Sequence, residues 1–193
     1  DKIDFNLQRT LPHKFTQAGP GLAVGDVNND GLDDFIIGGS TGYAPYVYTQ
    51  RSDGTFVGIK KQARDENKKE EDEGLLLFDA DGDGDSDLYV VSGSIESQDK
   101  EVFQDRLYLN SGKGNFSLSA GSLPETTASG SCVRAADFDG DGDLDLYVCS
   151  GGNEFSNVST SLIDRLYLNN GKGDFSKSSQ ILPTAKFEST STV

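Results

Sequence analysis

Three short segments of the chain place oxygen-bearing side chains at alternate positions. The first reads Asp26-Val27-Asn28-Asn29-Asp30-Gly31-Leu32-Asp33-Asp34. The second reads Asp79-Ala80-Asp81-Gly82-Asp83-Gly84-Asp85-Ser86-Asp87, and the third Asp137-Phe138-Asp139-Gly140-Asp141-Gly142-Asp143-Leu144-Asp145. In a tight loop, side chains at positions one, three and five converge on one point, and glycine at position six allows the chain to reverse. Hard oxygens at this spacing suit calcium, which takes six to eight of them in flexible geometry; magnesium demands a near-ideal octahedron and keeps several waters. Carboxylates crowded into nine residues also repel one another unless a cation neutralises them.

The expected ligands are side chains at positions one, three, five and nine, with the backbone carbonyl of position seven. The first site then uses Asp26, Asn28, Asp30 and Asp34 with the Leu32 carbonyl. The second uses Asp79, Asp81, Asp83 and Asp87 with the Asp85 carbonyl. The third uses Asp137, Asp139, Asp141 and Asp145 with the Asp143 carbonyl, and the Asp143 side chain is expected to face solvent. Asp33 is expected to be a bystander. Three bound calcium ions are therefore anticipated. An EF-hand opens in the same way but needs a bidentate Glu at position twelve. That position holds Ile37, Val90 and Val148, which lie in strand-like runs.

The elements that must position these loops repeat with them. Each loop is followed by an apolar run ending in small residues: Phe35-Ile36-Ile37-Gly38-Gly39, Leu88-Tyr89-Val90-Val91-Ser92-Gly93 and Leu146-Tyr147-Val148-Cys149-Ser150-Gly151. These read as buried strands. A second block pairs Tyr46-Val47-Tyr48 with Gly54-Thr55-Phe56, Arg106 to Asn110 with Gly114-Asn115-Phe116, and Arg165 to Asn169 with Gly173-Asp174-Phe175. It predicts a β-hairpin with a Gly-rich turn.

The equivalent phenylalanines Phe5, Phe56, Phe116 and Phe175 delimit three units. Each has room for four short strands, the size of one propeller blade. The expected fold is thus all-β, made of β-propeller blades in three four-stranded repeats. A ring needs at least four blades, so these belong to a larger propeller or are completed by oligomerisation. Residues 1–20 read as the end of a preceding blade or a closing strand, 21–73 as the first repeat, 74–129 as the second, and 130–193 as the third with a tail. All lie in one propeller domain. Lys60 to Glu73 reads as a solvated, mixed-charge connector, and the insertions near Ser94 to Gln104 and Asn153 to Ile163 read as surface loops.

The acidic loops, the strands after them and the Gly-x-Phe turns resemble FG-GAP and VCBS-type repeats, as in integrin alpha-subunit propellers and many bacterial surface proteins. They are also similar to the repeat region of cartilage acidic protein and its bacterial relatives. The resemblance implies a calcium-stiffened propeller in which the metal loop joins two strands of each blade.

Composition narrows the function further. A net charge of -15 and a pI near 4.3 disfavour nucleic acid and anionic membrane surfaces. No apolar run is long enough to span a bilayer, and the first residues lack a signal-peptide pattern, so the chain reads as a mature product or an excised piece. Cys132 and Cys149 have neither the spacing nor the histidine neighbours of a zinc site. If the segments flanking the third loop form a hairpin, the two thiols land nearly opposite each other; a disulfide and two free thiols both remain open.

His13 is the sole histidine, which leaves a Ser-His-Asp arrangement only one possible base. Asp105-Arg106 and Asp164-Arg165 could hold an anionic sugar or form structural salt bridges at blade boundaries. The favoured function is a non-catalytic, secreted or cell-surface module, extracellular or periplasmic, that binds a protein or glycan and can self-associate through open blade edges. The alternative is the propeller of a carbohydrate-active enzyme of polysaccharide lyase or glycosidase type.

Overall fold

The computed structural model describes residues 19–58, 68–93, 100–151 and 163–179. Phe5, His13, most of both insertions and the last residues of the chain lie outside that set. Among the described residues, twelve strands form three separate four-stranded antiparallel sheets, each a simple meander. The first blade contains β1 (Leu22–Gly25), β2 (Asp34–Ile37), β3 (Tyr46–Gln50) and β4 (Phe56–Gly58). The second contains β5 (Glu71–Phe78), β6 (Asp87–Gly93), β7 (Arg106–Asn110) and β8 (Phe116–Leu118). The third contains β9 (Gly130–Ala136), β10 (Asp145–Ser150), β11 (Arg165–Asn169) and β12 (Phe175–Lys177). These are propeller blades, and their first strands touch, β1 against β5 and β5 against β9.

Each acidic loop is the turn between the first and second strands of its blade, and each Gly-rich turn joins the third and fourth. The hairpin register follows the repeat: Gly25 pairs with Asp34, Phe78 with Asp87 and Ala136 with Asp145. Position nine of each loop is thus the first residue of a second strand.

Blade faces bury apolar side chains against each other rather than around one shared centre. Val27 and Ile36 of the first blade pack on Leu88 and Val90 of the second, joined by Leu75, Leu77 and Tyr108. On the other face of the second blade, Tyr89, Val91 and Leu107 meet Val133, Leu146, Val148 and Tyr167 of the third. Covered on both sides, β6 is buried at every residue, which explains its nearly continuous apolar run. In the first blade, Leu22 and Val24 occupy the register positions of Leu75 and Leu77 but are 61% and 60% exposed. Among the described residues, nothing covers that face.

Two expectations, one of a boundary and one of a connector, need correction. The division expected between residues 73 and 74 falls inside β5, which begins at Glu71. The later part of the Lys60–Glu73 connector is also not a solvated run. Lys68 is buried and donates from Nζ to the carbonyls of Gly39 at 3.0 Å and Glu70 at 2.7 Å, while pairing with Asp72 at 3.2 Å. Asp72 in turn accepts the Gly39 N–H at 2.6 Å and pairs with Arg106. The charges are retained because they fasten the second blade to backbone groups of the first, where an unpaired buried ion would cost several kcal/mol.

A second fastening recurs at the loop end of the blades. Asn110, the last residue of β7, donates from Nδ2 to the Val27 carbonyl of the first blade at 2.8 Å and to the Ser86 carbonyl of its own at 3.0 Å. Asn169, the last residue of β11, does the same to Ala80 at 2.8 Å and Leu144 at 3.1 Å. Removing the amide with Asn110→Ala is expected to lower unfolding stability by about 1–3 kcal/mol, since carbonyls in a buried interface lose a donor. The urea midpoint should fall with the slope unchanged, and an unaltered midpoint would show that the clasp contributes nothing.

Candidate metal loops

The three loops fold alike because their residue types demand it. Positions four and six adopt left-handed backbone in every copy: Asn29 and Gly31 at φ 60° and 83°, Gly82 and Gly84 at 79° and 90°, Gly140 and Gly142 at 84° and 100°. Only glycine, or asparagine at modest cost, sits comfortably there. The bend at position six is expected from the sequence, whereas the one at position four becomes evident only in the structure.

Side-chain oxygens then line the inside of the turn by accepting successive backbone N–H groups. Position one receives the N–H of position six: Gly31 onto Asp26 at 2.7 Å, Gly84 onto Asp79 at 3.0 Å and Gly142 onto Asp137 at 3.2 Å. Position three receives that of position five: Asp30 onto Asn28 at 3.0 Å, Asp83 onto Asp81 at 3.3 Å and Asp141 onto Asp139 at 3.2 Å. Position five receives that of position seven, from Leu32 onto Asp30 and Asp85 onto Asp83 at 2.9 Å, and from Asp143 onto Asp141 at 3.0 Å.

Position nine is different. Asp34, Asp87 and Asp145 are fully buried, and each uses both carboxylate oxygens. One accepts the N–H of position two: Val27 at 3.1 Å, Ala80 at 2.9 Å and Phe138 at 2.9 Å. The other accepts the N–H at the end of the third strand, from Gln50, Asn110 and Asn169, in each case at 2.8 Å.

This folding brings together Asp79, Asp81 and Asp87 in the second loop and Asp137, Asp139 and Asp145 in the third. Within each trio, one carboxylate oxygen per residue lies within 4.8 Å of the others. Ligands sharing one calcium at about 2.3–2.6 Å must lie within about 5 Å of each other, so both trios have the reach to hold a hard cation. In the first loop the corresponding residues are Asp26, Asn28 and Asp34, with an amide in the middle. Asp30, Asp83 and Asp141 at position five are exposed and fall outside the two trios. Asp33 is exposed.

Position seven departs from expectation. The Asp143 side chain does not stand in solvent: it is half-buried against Gly171 in the outer hairpin turn of its own blade. Asp85 lies likewise against Gly112 and accepts a hydrogen bond from Asn29 Nδ2 at 2.6 Å, linking the first loop to the second. Neither carboxylate belongs to a trio. Leu32, at the same position of the first loop, is half-buried.

The charges within the loops perturb one another. Burial pushes the Asp87 carboxyl up to about 6, with Asp81 and Asp83 adding repulsion against the N–H groups of Asn110 and Ala80 that pull it down. Burial and the neighbouring carboxylates Asp83 and Asp79 raise Asp81; burial, Asp141 and Asp145 raise Asp139. Burial also acts upward on Asp26, but the N–H groups of Gly31, Asn28 and Asp30 outweigh it and hold this carboxyl below its usual range.

At the opposite ends of the second strands, the residues of the two Asp-Arg segments tie strands together within a blade and, in one case, across a blade boundary. Asp105 accepts the Ser92 N–H at 2.9 Å and the Tyr89 hydroxyl at 2.8 Å; Asp164 accepts the Ser150 N–H at 2.8 Å and the Tyr147 hydroxyl at 2.7 Å. Arg165 reaches past its sequence neighbour to Asp105 of the preceding blade at 2.8 Å and is 5% exposed. Arg106 pairs with Asp72. Both arginines therefore form structural ion pairs, Arg165 across a blade boundary as expected and Arg106 within the second blade. The roles of Asn110, Asn169 and Asp72 escape sequence reasoning. Its one available signal was the recurrence of Arg-Leu-Tyr-Leu-Asn ahead of two Gly-rich turns.

Residues 26–90 and 79–148 each match the FG-GAP-like repeat. Each match runs from one acidic loop into the strand that follows the next. No curated protein matches the chain.

The buried aspartate should matter for folding independently of any ion. Asp145→Ala, measured in excess chelator, leaves the N–H groups of Phe138 and Asn169 without acceptors and should cost about 1–3 kcal/mol for each. Asp141→Asn keeps an oxygen for the Asp143 N–H at an exposed site and should stay within about 0.5 kcal/mol of the parent. Equal effects of the two substitutions would contradict the distinction between positions nine and five.

Proposed function

The chain belongs to the FG-GAP-like repeat family, and on that premise we propose that it is a calcium-stiffened, non-catalytic propeller module that engages an extracellular protein or glycan. The observation that carries this reading is the pair of carboxylate trios, each with oxygens within 4.8 Å of one another and one member fully buried. Positions one, three, five and nine of each loop, together with the carbonyls of Leu32, Asp85 and Asp143, would hold the calcium ion and neutralise its charge. The first site uses Asn28 in place of a carboxylate and is the least charged of the three. Kinship to integrin alpha-subunit propellers and to bacterial relatives of cartilage acidic protein is part of the same proposal, supported by the loops and Gly-x-Phe turns.

A secreted or surface setting fits because extracellular calcium modules work with dissociation constants of about 10⁻⁴–10⁻³ M, where ambient calcium still fills them. The engagement of Arg106 and Arg165 in ion pairs favours a binding module over a sugar-cleaving enzyme. The exposure of Leu22 and Val24 on the first blade, at 61% and 60%, supports contact with a further blade, of the parent protein or of a second copy.

Calcium at one hundred times its dissociation constant should add about 2.7 kcal/mol of stability per filled site. The melting temperature should therefore climb with calcium, climb much less with magnesium, and fall back with chelator; indifference to calcium and chelator would refute the reading. Calcium binds the ionised carboxylate, so a second-site Asp87 titrating at about 6 must shed its proton first. Affinity at that site should weaken as the pH is lowered through about 6, and calorimetry in buffers of different ionisation enthalpy should detect the released proton. The partner class is tested on protein and glycan arrays, with acidic polysaccharides assayed for new unsaturated or reducing ends. Turnover would overturn the non-catalytic assignment.

A further inference from the structure

The third blade holds a feature that the other two lack. Cys132 on β9 and Cys149 on β10 are directly opposed register partners, and both are free thiols. Directly opposed residues of an antiparallel pair have Cα atoms about 4.5–5.5 Å apart and side chains on the same face, inside the range of about 4.4–6.8 Å that a disulfide spans. The ladder shifts by one residue immediately beyond the pair, between Cys149 and Ser150.

The second blade carries the same irregularity after Gly74 and Val91, which occupy the equivalent register position. A Cβ placed on Gly74 would stand 3.2 Å from that of Val91, so the irregular pairing brings opposed side chains unusually close. Disulfide Cβ atoms lie about 3.5–4.5 Å apart. In the first blade the equivalent residues are Gly21 and Gly38, linked by a backbone hydrogen bond of 2.8 Å. Glycine occupies at least one side in the first two blades, whereas the third places sulfur on both.

We infer that Cys132 and Cys149 are a redox-active pair that closes into a cross-strand disulfide between β9 and β10, the two strands that hold the third acidic loop. The oxidant is a small-molecule disulfide such as glutathione disulfide. Cys132 is half-buried and Cys149 fully buried, which sets the order of attack. The Cys132 thiolate attacks one sulfur of the oxidant, forming a mixed disulfide and releasing one reduced thiol. Cys149 then loses its proton to solvent and attacks the Cys132 sulfur, forming the cross-strand bond and expelling the second reduced thiol. Two protein thiols are oxidised and one small disulfide is reduced. Burial, with the neighbouring Cys132 thiol adding to it, raises the Cys149 thiol well above the usual range, in keeping with its acting second.

The test uses the whole folded chain, reduced and then exposed to excess glutathione disulfide, followed by alkylation in denaturant and intact mass measurement. The expected product is a monomer lighter by two hydrogens, with no alkylatable thiol and a Cys132–Cys149 cross-linked peptide in a non-reducing digest. Cys149→Ser should stop as a stable glutathione adduct on Cys132, and Cys132→Ser should remain largely unmodified while folded. A parent chain that keeps both thiols, halts at a mixed disulfide or cross-links between molecules would overturn the proposal. The parent measurement decides the matter even if a variant fails to fold.

Discussion

The arrangement of each blade depends on one buried carboxylate. Asp34, Asp87 and Asp145 begin the second strands and divide their two oxygens between the acidic loop and the end of the third strand. Burying an ionised group is costly unless its lone pairs are met. Two backbone N–H groups meet part of that need, so the loop closes over the strand that would otherwise leave these donors unpaired. The residue that terminates the loop also registers the blade. In the second loop the N–H groups do not offset the burial, and Asp87 is held well above its ordinary range. That unmet charge is what a cation would answer.

From this fixed point the blades are joined by polar contacts at both ends and apolar contacts between. At the loop end, Asn110 and Asn169 clasp a carbonyl of the preceding blade as well as one of their own. At the other end, Arg165 holds Asp105 across the boundary, and Lys68 with Asp72 grips the backbone around Gly39. Between them lie the sheet faces of Tyr89, Val91, Leu107, Leu146 and Val148. Polar groups at the rim set the register and the apolar face supplies most of the burial, because hydrogen bonds are directional whereas apolar contact is not.

Much of this was legible in the residues. Alternating oxygens with glycine at position six identify the loops, apolar runs ending in small residues identify the second strands, and Gly-x-Phe marks the outer hairpin. The opposition of Cys132 and Cys149 also follows once the flanking segments are read as a hairpin. Less accessible were features whose partners lie in another blade. Lys68 looked like one charge in a solvated run, yet its ammonium sits among carbonyls that only the first blade supplies. Asp143 looked free to face water, yet the turn at Gly171 folds back against it. The strand β5 starts three residues before the boundary that the apolar pattern suggests, because the polar residues Glu71 and Asp72 are held in the ladder by pairing with Gly93 and Ser92 of β6, with Glu73 at the irregularity that follows.

By itself the sequence determined the number of repeats, the strand after each acidic loop, the outer hairpin of each blade, the position of the acidic loops and the absence of an EF-hand glutamate. All of these rest on local periodicity and turn chemistry, which act over a few residues and leave a pattern in the chain. Tertiary structure alone decided which carboxylates converge, which aspartate becomes the buried anchor, and which charged residues serve as fasteners between blades. Those outcomes depend on groups far apart along the chain, such as Asn110 with Val27 at a separation of 83 and Asn169 with Ala80 at 89. Their energies come from desolvation and geometric fit between sheets, and neither is encoded in the spacing of one segment.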